Sequence, residues 1–332
     1  MFDYFSTSAE RNKAVELMII GVDLGGTRIR AARLDDDLNI LLRDETLTLA
    51  DEGPDRVIGR IIDLIRAVWP PQAEVTGIGV SSPGPLDPVT GVVLAPPNLT
   101  GWHHVPLAQR LREVFNVPTY IGNDANVAVL AEVSRGAAQG CKHAIYVTLS
   151  TGIGGGVLID GRLLLGHRGF AAHVGHMLMV IDGQELRLEQ VAAGPAIARQ
   201  ARERIERGDS SVIRDLVQGD LTRIDSRIVG QAAQQGDPLA LEIVQRAGRI
   251  IGLGLTSLLH LFNPEIIVIG GGVSKIGDLL LDPMRAAIRE SVIYEGYIDQ
   301  LRIEMAALGE DVSIIGAAAL VHTQGGMIPL LA

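Results

Sequence analysis

The sequence is poor in cysteine, in basic charge and in long apolar runs, and each shortage removes a class of function. With one cysteine, Cys141, the chain has no internal disulfide and no cysteine-based metal cluster, and a lone thiol fits a reducing compartment. Lys and Arg number 29 against 39 Asp and Glu, a formal net charge of −10, and they form no stripe. The electrostatic footprint for nucleic acid or an anionic membrane is therefore missing. The most apolar internal segment, IIGLGLTSLLHLF at residues 250–262, is well short of the ~20 residues of a membrane span and reads as a buried helix. The N-terminus has no basic leader followed by a sustained apolar core, so no signal peptide is expected. What remains is small-molecule chemistry in the cytoplasm.

What is present fits a compact enzyme. Apolar residues make up 47% and charged residues 20% of 332 residues, enough length for two lobes that each bury a core. Residues 17–35, LMIIGVDLGGTRIRAARLD, and 144–160, AIYVTLSTGIGGGVLID, both read strand, glycine-rich turn, strand. A unit repeated at the start of each half predicts duplicated α/β cores. Helical patterns follow in GPDRVIGRIIDLIRAVWP, with Val57, Ile61, Ile62 and Ile65 on one face, in PLAQRLREVFNVP, in IGNDANVAVLAEVSRGA and in SIIGAAALVHTQG. PEIIVIGGGVSKIGDLLLDPMRAAIRES predicts a buried strand, a glycine turn and a helix.

Chemistry enters through the turns. DLGGTR, residues 23–28, exposes backbone N–H groups that suit a phosphate where no Cβ intrudes, with Thr27 and Arg28 adding a hydroxyl and a charge; a plain hairpin turn fits DLGG as well. Asp23 stands where one carboxylate can hold a hydrated Mg²⁺. STGIGGG, residues 150–156, is a second such turn. Its glycine spacing and the strand after it exclude a Rossmann fingerprint, and no G-x-x-x-x-G-K-[ST] loop occurs. Two such hairpins favour nucleotide binding more than either alone. IGGGVS, residues 269–274, suits an adenine or ribose, or the close packing of a helix on its strand. In GNDAN, Asn123 and Asp124 stand where a strand becomes a helix, as a simple N-cap or as a base on an attacking hydroxyl. The helix N-terminus is expected to hold Asp124 charged, weakening it as a base and leaving it chiefly to orient the hydroxyl.

Taken in order, VDLGGTRIRAARLD, GVSSPGPLD, PPNLTGW, GNDANVAVLAE, STGIGGGVLIDG, GFAAHVGH, LEQVAAGPAIA, NPEIIVIGGG and SIIGAAAL resemble the ROK family of bacterial sugar kinases and sugar-responsive repressors over roughly residues 17–325. The resemblance implies a two-lobed actin-like ATPase (ribonuclease H-like) fold of the α/β class. The small lobe would span 17–124 with a returning helix at 312–325, the large lobe 125–311, after a disordered leader at 1–16. It implies ATP and Mg²⁺, with Gly25, Gly26, Thr27, Arg28, Thr151, Gly152, Gly271 and Gly272 on the nucleotide and Asp23 on Mg²⁺ through water. It implies a hexose or N-acetylhexosamine bound by Gly84, Asn98, Asn123, Asp124, His173, His176 and Glu189, with Asp124 as catalytic base and glucose as first choice. A homodimer or homotetramer is implied too. The family's repressors carry a winged-helix domain before this core; a short leader stands there instead, so DNA binding is not expected.

Two departures matter. The family reads G-E-x-G-H where this chain has His173 and His176, so an imidazole replaces a carboxylate that accepts from sugar hydroxyls. The family's cysteine-rich zinc segment is missing: MLMVIDGQELR runs from His176 to Leu188 without a cysteine, and no structural zinc is expected. Ser150, where the family has Gly, leaves the second turn in place. These departures motivate an alternative, a catalytically impaired sugar or nucleotide sensor; intact Asp23, Asp124 and both turns favour the kinase.

Overall fold

The computed structural model describes residues 16–330. All of the expected leader but Glu16 lies outside the described residues. In chain order the strands are β1 Leu17–Leu24, β2 Arg28–Asp35, β3 Ile40–Leu47, β4 Glu74–Ser82, β5 Leu86–Asp87, β6 Val92–Val93, β7 Thr119–Asn123, β8 Ala144–Leu149, β9 Ile153–Ile159, β10 Arg162–Leu163, β11 Leu178–Ile181, β12 Gln184–Arg187, β13 Ile266–Gly270 and β14 Arg302–Met305. The helices are α1 Pro54–Val68, α2 Leu107–Phe115, α3 Asp124–Arg135, α4 Leu188–Ala192, α5 Gly194–Glu206, α6 Ile213–Leu216, α7 Ser226–Gln234, α8 Pro238–Phe262, α9 Asp278–Ser291 and α10 Val312–His322.

Two five-stranded sheets share one plan. The first runs β3-β2-β1-β4-β7 and the second β10-β9-β8-β13-β14. In each, the first three strands form an antiparallel meander and the last three are parallel. This is the duplicated α/β core of the two-lobed actin-like ATPase fold. Parallel strands need crossovers that cover the sheet faces, and α1, α2 and α9 supply them. Accordingly β13, IIVIG, is buried at all five positions.

Helices α3 and α10 join the halves. Every residue of α10 from Ile314 to Leu320 is buried, so it is apolar around its circumference rather than on one stripe. Gly316 lets it lie against α3, since a Cβ there would stand 1.9 Å from the carbonyl oxygen of Val127. One core combines α3 and α10 with Ile19, Ala32 and Leu34 of the first sheet and Tyr146, Leu158, Ile266 and Val268 of the second. At about 1.5–3 kcal/mol per buried large aliphatic side chain, this cluster holds the sheets in a fixed relation. α8 is the buried helix expected at 250–262, begun earlier by the Asp237 cap on Ala240 N.

Candidate functional site

Ligands of open parallel sheets gather at the C-terminal ends of the strands. In the first sheet the registers Asp23↔Ser81 and Ser82↔Asn123 align Asp23, Ser82 and Asn123 along that edge, with Gly84 two residues past Ser82. In the second, Gly270↔Thr148 places the Ser150-Thr151 turn beside Gly271 and Gly272. The two edges meet at α3: a Cβ on Gly156 of β9 would stand 2.2 Å from the carbonyl oxygen of Ala125, so only glycine lets the second hairpin reach the start of that helix.

Asp124 is the first residue of α3. The Asn123 side chain caps the helix by accepting from Asn126 N at 2.7 Å, a bond that uses its oxygen and not its amide nitrogen. The Asp124 carboxylate accepts from Ala125 N at 3.0 Å and reaches solvent in the cleft, while protein crowds it on its other sides. That crowding raises its pKa above the ordinary aspartate value; the Ala125 N–H opposes the rise and the Asp23 charge adds to it. The expected pull of the helix N-terminus is overcome, so Asp124 is a stronger base than an aspartate in water. Behind it, burial first and then the charges of Glu132 and Asp124 push the Tyr146 phenol up to about 12.

Asp23 has a partner that sequence reading missed. Arg30, its cross-strand neighbour, donates from Nε at 3.0 Å and Nη2 at 2.6 Å to Oδ2 of Asp23, leaving Oδ1 free among the described residues. Arg28, the arginine expected at the nucleotide, pairs at 2.6 Å with Glu45 of β3. The first turn is closed by Gly25 N donating to Arg28 O and Thr48 Oγ1 donating to Gly25 O, with Thr27 exposed. A Cβ on Gly26 would stand 3.0 Å from Cβ of Asn98, so this turn and Asn98 are neighbours. The second turn has the matching neighbour: a Cβ on Gly152 would stand 3.1 Å from Oε2 of Glu189. Each glycine turn thus adjoins one residue of the expected sugar set.

Ser150, Thr151 and Gly272 line a cavity of about 380 Å³ completed by Gly194, Ala198, Arg199, Arg202, Ile224, Asp225 and Val273. Ser150 accepts from Gly194 N at 2.8 Å, which ties the turn to the start of α5. Gly271, at φ 89°, packs on Leu149 and brings Gly272 to this cavity. The α5 and Ile224–Ser226 walls were not read from the sequence; the Gly-Pro that opens α5 within LEQVAAGPAIA was the available signal.

His173 is exposed beside the cleft, near enough for its positive form to oppose the rise in the Asp124 pKa. His176 Nδ1 lies 3.5 Å from Oε1 of Glu189, and the His173 and His176 ring centroids are 6.0 Å apart. His167 is exposed in its loop. A structural zinc does not fit this donor set. Among the described residues no three His, Cys, Asp or Glu side chains gather as a metal requires, and Cys141 is buried elsewhere, its Sγ 2.8 Å from Nη2 of Arg302. No described helix is long and apolar enough to cross a membrane.

The sequence model of the ROK family matches residues 19–324. A glucokinase of Thermotoga maritima is 35% identical over 317 residues, 94% of this chain and 99% of its own. Among solved structures, a ROK family glucokinase of Streptomyces griseus in complex with glucose and AMPPNP superposes with a TM-score of 0.73 at 33% identity, covering 91% of this chain and 98% of its own. A ROK hexokinase of Thermus thermophilus gives 0.76 at 33% identity, with 91% and 96% covered.

Proposed function

Because the chain belongs to the ROK family, we propose that it transfers the γ-phosphoryl group of ATP to a hydroxyl of a hexose, with glucose or a close relative as acceptor. One observation carries the mechanism: Asp124 stands in the cleft at the junction of the two sheets, its pKa raised by its surroundings. In phosphoryl transfer the protein chiefly positions the reactants and stabilises charge. Asp124 orients the sugar hydroxyl and accepts its proton as the oxygen attacks. Asn98, Asn123, Glu189, His176 and the backbone around Gly84 hold the sugar, and His173 supplies one imidazole where the family has a carboxylate.

The Ser150–Gly152 turn and Gly271–Gly272 hold the nucleotide in the 380 Å³ cavity, while Gly25–Arg28 faces the phosphates from the other sheet. The Asp23 oxygen that Arg30 leaves free suits Mg²⁺ held through water. When bound, that ion neutralises phosphate charge. The small lobe is taken as residues 17–124 with the 312–325 helix, and the large lobe as 125–311, so Asp124 lies at their boundary. The sensor alternative rested on His173 and the missing zinc segment; an intact base and both turns speak for turnover.

The test is ADP release from Mg-ATP across a panel of hexoses and N-acetylhexosamines, with Asp124→Asn beside the wild type. The variant is expected to fall about 10²–10⁴-fold in kcat. A wild-type rate in the variant, or no turnover by folded protein with any sugar, overturns the reading.

A further inference from the structure

The segment from His176 to Leu188 is a hairpin. Strands β11 and β12 pair antiparallel with Leu178↔Arg187, Met179↔Leu186, Val180↔Glu185 and Ile181↔Gln184. The two-residue turn is Asp182-Gly183, at φ 51° and 76°, the pairing of positive φ angles that matches the twist of a tight hairpin. Alternation separates the faces: Met179, Ile181 and Leu186 pack on the core of the second sheet, while Leu178 and Val180 are exposed.

At the base of the hairpin, Leu188 N donates to Met177 O at 3.0 Å. That bond sets His176 and Glu189, the residues just outside it, side by side at 3.5 Å. Met177 and Leu188 both lie against Gly254 of α8, which offers no side chain to part them. At the tip, Asp182 pairs with Arg246 of α8. Arg246 also donates to Gln200 Oε1 at 2.9 Å, and Gln200 donates to Val191 O of α4, the helix that carries Glu189. The hairpin and the Glu189 helix are thus tied together at both ends.

We propose that this hairpin takes the place of the family's structural zinc as the clamp that sets His176 against Glu189, with Arg246 as a positioning residue, and that sugar affinity in this chain depends on the hairpin and on no metal. The ion pair contributes little by itself, because the Asp182 side chain is 78% exposed. Its value lies in register: a strand pair that slips by one residue turns every side chain to the other face and parts His176 from Glu189. The proposal rests on the sugar-kinase reading for the identity of the ligand.

The experiment measures zinc content by metal mass spectrometry and glucose affinity by calorimetry without ATP, in the wild type, Gly183→Val, Arg246→Met and Arg246→Lys. The wild type is expected to carry no zinc and to keep its glucose affinity in 1,10-phenanthroline with Mg²⁺ in excess. Gly183→Val and Arg246→Met are expected to weaken glucose binding roughly tenfold, about the worth of one lost hydrogen bond. Their KM for ATP and kcat at saturating glucose should stay near wild type, and Arg246→Lys should recover part of the affinity. A general loosening of the fold would raise both KM values together, and that outcome overturns the positioning role. Stoichiometric zinc, chelator-sensitive binding, or wild-type affinity in both hairpin variants shown folded by circular dichroism would each overturn the proposal. A wild type that neither binds nor phosphorylates any sugar defeats the sugar-kinase reading instead, and the zinc content still decides whether the clamp is metal-free.

Discussion

A single residue, Asp124, shows how a local rule yields to its surroundings. Its place in the first turn of a helix favours the carboxylate, yet the protein crowding it on the sides away from solvent and the nearby Asp23 charge raise its pKa. Activity is therefore expected to fall on acidification through a pKa above the ordinary aspartate value, read as the acid limb of kcat/KM against pH. The sign for stability follows from linkage: a carboxyl whose folded pKa lies above its unfolded one favours the fold at low pH, and that contribution is lost as pH rises through the folded pKa. At neutral pH the ionised Asp124 is a cost to the fold. Asp124→Asn, which keeps an oxygen for Ala125 N, should thus melt at the same or a higher temperature while turnover collapses. A variant that melts well below wild type would contradict this account.

At the scale of elements, α3 carries Asp124, the proposed base, at one end and serves as a joint at the other. Glu132, fully buried near its C-terminus, accepts from Ala137 N at 2.8 Å, Ala307 N at 3.0 Å and Leu308 N at 3.3 Å, tying α3 to the segment that leads into α10. Removing that carboxylate takes the acceptor from three backbone donors, on half-buried Ala137 and Leu308 and on Ala307, which water can reach in part. Glu132→Ala is expected to lose about 1–3 kcal/mol in urea unfolding, and Glu132→Gln less, since one amide oxygen still accepts. Equal, small losses in both would show that these N–H groups find other partners. The β11–β12 hairpin is the other element with a specific task, holding the residues at its base in register.

For the whole molecule, the repeated sheet plan brings the second hairpin against the start of α3 at the C-terminal edge of the first sheet, where the substrate cleft is proposed. A ligand that binds there favours the folded over the unfolded chain by mass action, about 2.7 kcal/mol at 100 times its dissociation constant. Glucose at that excess should raise the melting temperature of the wild type and of Asp124→Asn alike, because the variant retains the sugar site. No rise in either, alongside turnover of another sugar, would remove glucose as the acceptor.

The two strand-turn-strand units, β13 and helices α1, α2, α3, α8, α9 and α10 followed from the sequence, because periods of 2 and 3.6 and the glycine turns are local signals. Asp23, Asp124 and both glycine turns stand out in the sequence for that reason, and the sugar residues are proposed from the family pattern. The β11–β12 hairpin has a local signal too, since Asp182-Gly183 is a turn signal directly after the apolar run Met177–Ile181. Only the tertiary structure decided which arginine meets Asp23, that crowding by protein outweighs the helix N-terminus at Asp124, and that α5 and the Ile224–Ser226 segment wall the cavity. Those outcomes depend on register, crowding and contacts between residues far apart in the chain, and no local period encodes them.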